Sequence, residues 1–144
     1  MDNAIIELWN KKVKQNDIVY ILGDFSFYKG EETNEILRKL KGRKILIIGN
    51  HDHQYLNDLN FDTNLFEKIT QYEETIINKK RIIMFHYPII DWNCKFYNSI
   101  HLYGHVHDID NKDTRYMNEE KNCYNVGFDI WHDLVTLEDL GVKI

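Results

Sequence analysis

The sequence predicts an α/β layered domain, and three observations predict it. Short apolar, β-rich runs alternate with a segment of helical periodicity, the connections are short and polar, and four of the runs end in a Gly, His, Asp or Asn cluster. Ligands of open α/β sheets bind beyond the carboxyl ends of the strands, so those clusters are candidates for one site. The chain has 144 residues, one domain at about 150 residues per domain. A chain of this size buries roughly two-thirds of its unfolded surface, enough for a core without staples. Its composition, 43% hydrophobic and 28% charged, is ordinary globular usage and excludes disorder.

Residues 3–14 carry Ala4, Ile5, Leu8 and Trp9 at helical spacing, with Asp2 or Asn3 available as the cap. Asp17 to Leu22 is a short β-rich run that stops at Gly23-Asp24. Helical periodicity returns over 31–41 through Ile36, Leu37 and Leu40, closed by Gly42. Lys44 to Ile48 reads as a buried strand ending at Gly49-Asn50, and Arg81 to Phe85 as another ending at His86-Tyr87-Pro88. Pro88, the single proline, biases Tyr87 towards an extended conformation. Ser99 to Tyr103 is a fourth strand, ending at Gly104-His105, and a further short one ends near Asn125-Val126-Gly127. No repeat, low-complexity tract or linker interrupts the order.

Composition narrows the function. Eighteen Lys+Arg against 23 Asp+Glu give a net charge of −5, which is no footprint for stable nucleic-acid binding. A nucleotide substrate stays open, because bound metal ions would supply local positive charge. The longest apolar runs, Ile45–Ile48 and Ile82–Phe85, fall far short of the roughly 20 residues a membrane span needs. The N-terminal stretch lacks the order of a signal peptide. A soluble, cytoplasmic protein with no membrane partner is expected. Cys94 and Cys123 are far apart and outside any C-x-x-C pattern, so they read as small buried hydrophobes.

Seven histidines, several tightly grouped, are more than a core needs. Alone, Gly23-Asp24 is an ordinary turn pair, and a helix cap would use the same aspartate. Gly49-Asn50-His51-Asp52 says more: after a buried strand it offers an oxygen ligand, an acid and a carboxylate to orient that acid. A solvated loop is its plain alternative, and His53 beside it reads as exposed and without a role. His86 is ambiguous between a ligand and a hydrogen-bonded structural histidine. Gly104-His105-Val106-His107 is the sharpest signal, since residues i and i+2 of an extended segment project to one side and make a chelating pair. His101 shares that parity but lies about 13 Å from His105 along an extended chain, and a structural role is expected for it. Asp24, Asn50, His86, His105 and His107 together form a mixed oxygen/nitrogen set that suits borderline transition metals better than Ca or Mg. Without thiolates, the set favours a hydrolytic over a structural centre. Walker, nucleophile-elbow and dinucleotide-binding motifs are all absent from the sequence.

The order GD, GNHD, H, GHxH resembles the calcineurin-like metallophosphoesterase superfamily, through Gly23-Asp24, Gly49-Asn50-His51-Asp52, His86 and Gly104-His105-Val106-His107. Ser99 through His107 and the Asn125–Asp129 segment look like its small bacterial and phage members. The resemblance implies a layered β-sandwich of mixed sheets flanked by helices and a centre of one or two divalent transition-metal ions (Mn, Fe, Zn, Co or Ni, with Mn favoured). Asp24 would bridge two ions, Asn50, His86 and His105 would hold one of them, and His107 would reach the other. A metal-activated water would attack phosphorus, His51 would protonate the leaving oxygen, and Asp52 would hold His51. Asn125 and Asp129 would shape the rim. The substrate class implied is phosphodiesters or small phosphomonoesters, nucleotides included.

Members of that superfamily open with a strand carrying D-x-H, and no D-x-H occurs here: Asp2 is followed by Asn-Ala and Asp17 by Ile-Val. The expectation is therefore a single domain over 1–144 that lacks its N-terminal strand, as a fragment or a natural short form. One metal keeps its ligands, while the other retains Asp24 and His107. Loss of that strand predicts lower stability than a full-length relative, or a homodimer through the vacant sheet edge. A metal-dependent phosphoric ester hydrolase is the leading function, and a scaffold that keeps the fold with a weakened metal site is the alternative. A metal-sensing regulator has little support, since neither a DNA-binding helix pair nor a basic surface is apparent. The aromatic loops Phe25–Tyr28 and Trp92–Tyr97 would suit stacking on a base, although covering the core beside the site is their plainer role.

Overall fold

The computed structural model describes residues 3–107, 112 and 115–142. The chain forms two compact units, Met1–Thr70 and Gln71–Ile144. The first holds helix α1 (Asn3–Lys12), strand β1 (Ile18–Ile21), helix α2 (Gly30–Lys39), strand β2 (Arg43–Ile47), the short helix α3 (His53–Leu56) and strand β3 (Lys68–Thr70). Its sheet is wholly parallel, in the order β1-β2-β3, with Ile18 opposite Arg43 and Ile45 opposite Lys68. The central strand β2 is buried along its last four residues, as the unbroken apolar run Ile45–Ile48 predicts for a strand flanked on both sides. Leu46 joins Leu37, Tyr55, Phe61 and Phe66 in the core of this unit.

Helix α1 ends two residues before its apolar periodicity does, and Asp2, one of its two candidate caps, lies outside the described residues. Trp9 anchors it by donating from Nε1 to Lys41 O at 2.8 Å. Helix α2 is closed at both ends by residues distant from its start. Asp58 accepts Gly30 N at 2.9 Å. Buried Lys44 donates from Nζ to Leu40 O at 2.8 Å and Gly42 O at 3.0 Å, satisfying carbonyls at the helix end. Burial lowers the pKa of that ammonium. Gly42 follows with φ +98°, the left-handed turn a glycine permits.

The second unit holds strands β4 (Tyr72–Ile77), β5 (Lys80–Phe85), β6 (Ile100–Tyr103) and β7 (Cys123–Asn125), then the short helix α4 (Phe128–Trp131). Its sheet is mixed, in the order β4-β5-β6-β7: β4 and β5 form an antiparallel hairpin, and β5, β6 and β7 run parallel. The hairpin turns through Asn78 and Lys79, both at positive φ, the geometry of a tight two-residue turn. Ile83, Trp92, Tyr103, Met117 and Cys123 make its core. One parallel and one mixed sheet, each with helices in its unit, agree with the α/β class expected, although the first sheet is parallel rather than mixed. Cys123 is buried as expected and burial pushes its thiol up to about 12, whereas Cys94 is only half-buried.

Candidate functional site

Within the first unit, the ends of β1 and β2 are joined by carboxylates. Gly23 (φ 87°) and Asp24 (φ 54°) take the chain through a left-handed turn beyond β1. Gly49 lies so close to that turn that a Cβ there would stand 2.5 Å from Asp24 Oδ1 and 2.6 Å from Asp24 N. Asp24 Oδ1 in turn accepts His51 N at 2.8 Å. Asn50 and His51 are exposed beside it, and the His51 ring lies against Phe27, with centroids 5.2 Å apart. His53 is exposed, as expected.

Asp52 departs from expectation. It is fully buried, and its carboxylate accepts Gly49 N at 2.7 Å, Asp24 N at 2.8 Å, Phe25 N at 2.8 Å and Tyr55 Oη at 2.6 Å. Those four donors use the acceptor capacity of a carboxylate, so Asp52 holds backbone rather than the His51 imidazole. Burial first, then the adjacent Asp52 charge, raises the pKa of the Tyr55 hydroxyl far above its ordinary value and keeps it a donor. Tyr55 went unrecognised from sequence, although its spacing of three from Asp52 on a helical turn is the signal that would have found it.

Within the second unit, the ends of β5 and β6 bring imidazoles together. His86 is buried and its ring centre lies 5.0 Å from that of His105. Two imidazoles bound to one ion at about 2.0–2.1 Å would have ring centres about 5 Å apart, so this pair fits a shared metal. The Tyr87 ring closes the group, 4.9 Å from His86 and 4.6 Å from His105. Gly104 N donates to His86 O at 3.0 Å and ties the two strand exits.

The extended pairing expected of His105 and His107 is not what forms. His105 adopts φ 60°, which breaks the i, i+2 alternation on which the shared direction depended. His105 joins His86, whereas exposed His107 contacts the Asp129 carboxylate through Nδ1. Asn125 braces the same loop, donating to Val106 O at 2.8 Å and accepting Gly127 N at 2.9 Å. His101 is the structural residue expected: buried on β6, it accepts Ile89 N at Nε2 (3.2 Å), its Nδ1 meets Ile83 O (3.2 Å), and Trp92 and Tyr103 flank its ring. The aromatic loops divide. Phe25 packs edge-on against Tyr55 and Phe66 and Trp92 is buried, while Phe27, Tyr28, Phe96 and Tyr97 are exposed.

Carboxylate and imidazole donors at the strand exits of an α/β protein are the donor types of a metal centre. Comparison makes this specific: the model of the calcineurin-like phosphoesterase family matches residues 2–142, and the chain belongs to that family. Divalent metal ions and phosphoester hydrolysis are what membership implies. The chain is 28% identical over 163 residues to the gene 66 protein of Mycobacterium phage D29, covering 96% of this chain and 80% of that protein. It is also 28% identical over 146 residues to an uncharacterized protein of Methanocaldococcus jannaschii, covering 100% of this chain and 74% of the other. Among solved structures it is similar to a protein of unknown function, AQ665, from Aquifex aeolicus. The TM-score there is 0.65 at 29% identity, covering 90% of this chain and 76% of the other. Among the described residues, no helix is long and apolar enough to cross a membrane.

Proposed function

We propose that the protein is a cytoplasmic, metal-dependent phosphoesterase acting on phosphodiesters or small phosphomonoesters. The observation that carries the reading is the ordered set of four family motifs on strand exits, in a chain matched by the family model over residues 2–142. That match runs across both compact units, which supports treating residues 1–144 as one functional domain. Asp24, Asn50, His86 and His105 would hold one ion, and Asp24 and His107 are the donors for a second. Mn²⁺ is the occupant the family resemblance favours, while the mixed oxygen/nitrogen donors would also accept Fe, Zn, Co or Ni.

Bound metal would supply Lewis-acid polarisation of the phosphoryl oxygens and acidify the attacking water. The chain's own groups would do the rest. Asp24 presents a carboxylate from a fixed turn, and His51, exposed beside it, would deliver a proton to the departing oxygen. The ring of Phe27 against His51 limits where that imidazole can swing.

The test is hydrolysis of an aryl phosphodiester by the metal-stripped chain before and after loading with Mn²⁺. Activity restored by metal is expected. His51→Ala is expected to depress turnover of substrates with poor leaving groups more than of activated aryl esters, because a stable leaving anion needs no acid. A folded, Mn²⁺-loaded chain without activity would favour the scaffold reading.

A further inference from the structure

On the reading that Asp24 is a metal donor, we infer that Asp52 is the positioning residue of the centre. Its carboxylate fixes the backbone on which Asp24 and the Gly49-Asn50-His51 turn stand. Oδ2 receives Gly49 N and Asp24 N, and Oδ1 receives Phe25 N and the Tyr55 hydroxyl. One buried side chain thereby spans the exits of β1 and β2 and grips the amides on both sides of the Asp24 Cα.

Three features make this more than a core cross-link. First, Asp24 occupies the left-handed region at φ 54° directly after Gly23 at φ 87°. That region is uncommon for non-glycine residues, though more accessible to Asp than to most, and the two amides held by Asp52 lock the chain in it. Second, Asp24 Oδ1 accepts His51 N, so the aim of the Asp24 carboxylate depends on the turn that Asp52 also holds through Gly49 N. Third, a buried carboxylate is costly unless its acceptor sites are filled, and here four donors fill them. A group so completely engaged touches neither substrate nor metal, and it acts through Asp24.

The test uses the full chain with Asp52→Asn and Tyr55→Phe. Asparagine keeps the shape but offers one acceptor oxygen and turns an amide donor towards backbone N–H groups. Circular dichroism measures the folded fraction, and Mn²⁺ is titrated calorimetrically into the metal-stripped protein. The Mn²⁺ affinity of folded Asp52→Asn is expected to fall roughly 10- to 100-fold, as for partners that orient metal ligands. The rate constant kcat should fall with it, while KM stays within about twofold. In the metal-free protein, the amide resonances of Asp24, Phe25 and Gly49 should move while those of β5 and β6 keep their positions. A purely structural Asp52 would lower stability and leave Mn²⁺ affinity per folded molecule unchanged, and that result overturns the inference.

Should Asp52→Asn not fold, Tyr55→Phe decides. It removes one donor of four, and about a two- to fivefold loss of Mn²⁺ affinity is expected, with unchanged affinity counting against the inference. Failure of the phosphoesterase reading looks different, because the wild-type chain would then bind no Mn²⁺. In that case the metal-free amide signals decide: unmoved resonances of Asp24, Phe25 and Gly49 in the variants overturn the positioning role, and moved ones support it.

Discussion

Beyond β1 and β2, the polar residues of the first unit are laced together by the buried Asp52 carboxylate, through three backbone amides and the Tyr55 hydroxyl. Beyond β5 and β6, the rings of His86, Tyr87 and His105 meet, and backbone and Asn125 hydrogen bonds tie the loops, among them Gly104 N to His86 O, Asn125 Nδ2 to Val106 O and Gly127 N to Asn125 Oδ1. Hydrogen bonds to a carboxylate are directional, so the turn in the first unit is set before any ligand arrives. Ring contacts of about 0.5–1.5 kcal/mol each tolerate rotation, and the exposed His107–Asp129 pair adds little rigidity. In the first unit one buried carboxylate concentrates the bonds that fix the turn, whereas in the second the bonds are spread over backbone, Asn125 and ring contacts.

The apolar layers do not share this asymmetry. Leu46 and Ile83 are both fully buried on strands inside their sheets. Leu46→Ala and Ile83→Ala are each expected to cost about 2–5 kcal/mol, read by urea unfolding. Losses of very different size would show that one core collapses onto the cavity, and the contrast between the units would then extend beyond their polar loops. Next in size is an acid effect belonging to the second unit. Burial lowers the pKa of His101 to about 4 from 6.5, so the folded protein keeps it neutral where the unfolded chain takes up a proton. Its contribution is complete above about pH 6.5 and is lost as pH falls through about 4, amounting to about 3 kcal/mol. Stability measured across that window should decline in the wild type and much less in His101→Gln. An equal decline in both removes His101 as the cause.

What the sequence disclosed follows from the same division. β1, β2, β5 and β6 were legible because each is a short apolar run punctuated by Gly, His or Asp, and the site residues were legible because they are that punctuation. β4 was not: Tyr72–Ile77 is largely polar, its exposed face hides the alternation, and its turn uses Asn78-Lys79 instead of a glycine pair. β3 is only three residues long, too short for any period to register. Buried Thr33 and Asn34 of α2 were hidden for another reason. Their burial is justified by distant partners, Thr33 with Ser26 Oγ and Asn34 with Asn60 O and Asp62 N, which no local pattern reveals. The Asp52 carboxylate turns to the backbone and Tyr55, because adjacency to His51 in sequence does not dictate where a buried carboxylate points.

The smallest expected effects set glycine against glycine. A Cβ on Gly49 would meet backbone, Asp24 N at 2.6 Å and Gly23 Cα at 2.9 Å, so the turn itself would have to move. Gly49→Ala is expected to cost about 1–3 kcal/mol as an overpacked site. A Cβ on Gly127 would meet one atom, the Asn125 side-chain oxygen at 3.0 Å, and φ there is −58°, open to any residue. The unfolded chain loses freedom on Gly→Ala, a gain of about 0.4–1 kcal/mol that offsets the small displacement of Asn125. Gly127→Ala should therefore change the urea midpoint little, with a net effect within about 1 kcal/mol of zero. A loss at Gly127 as large as that at Gly49 would mean the loop braced by Asn125 is as tightly fixed as the turn held by Asp52, and the contrast between the units would fail where it is drawn most sharply.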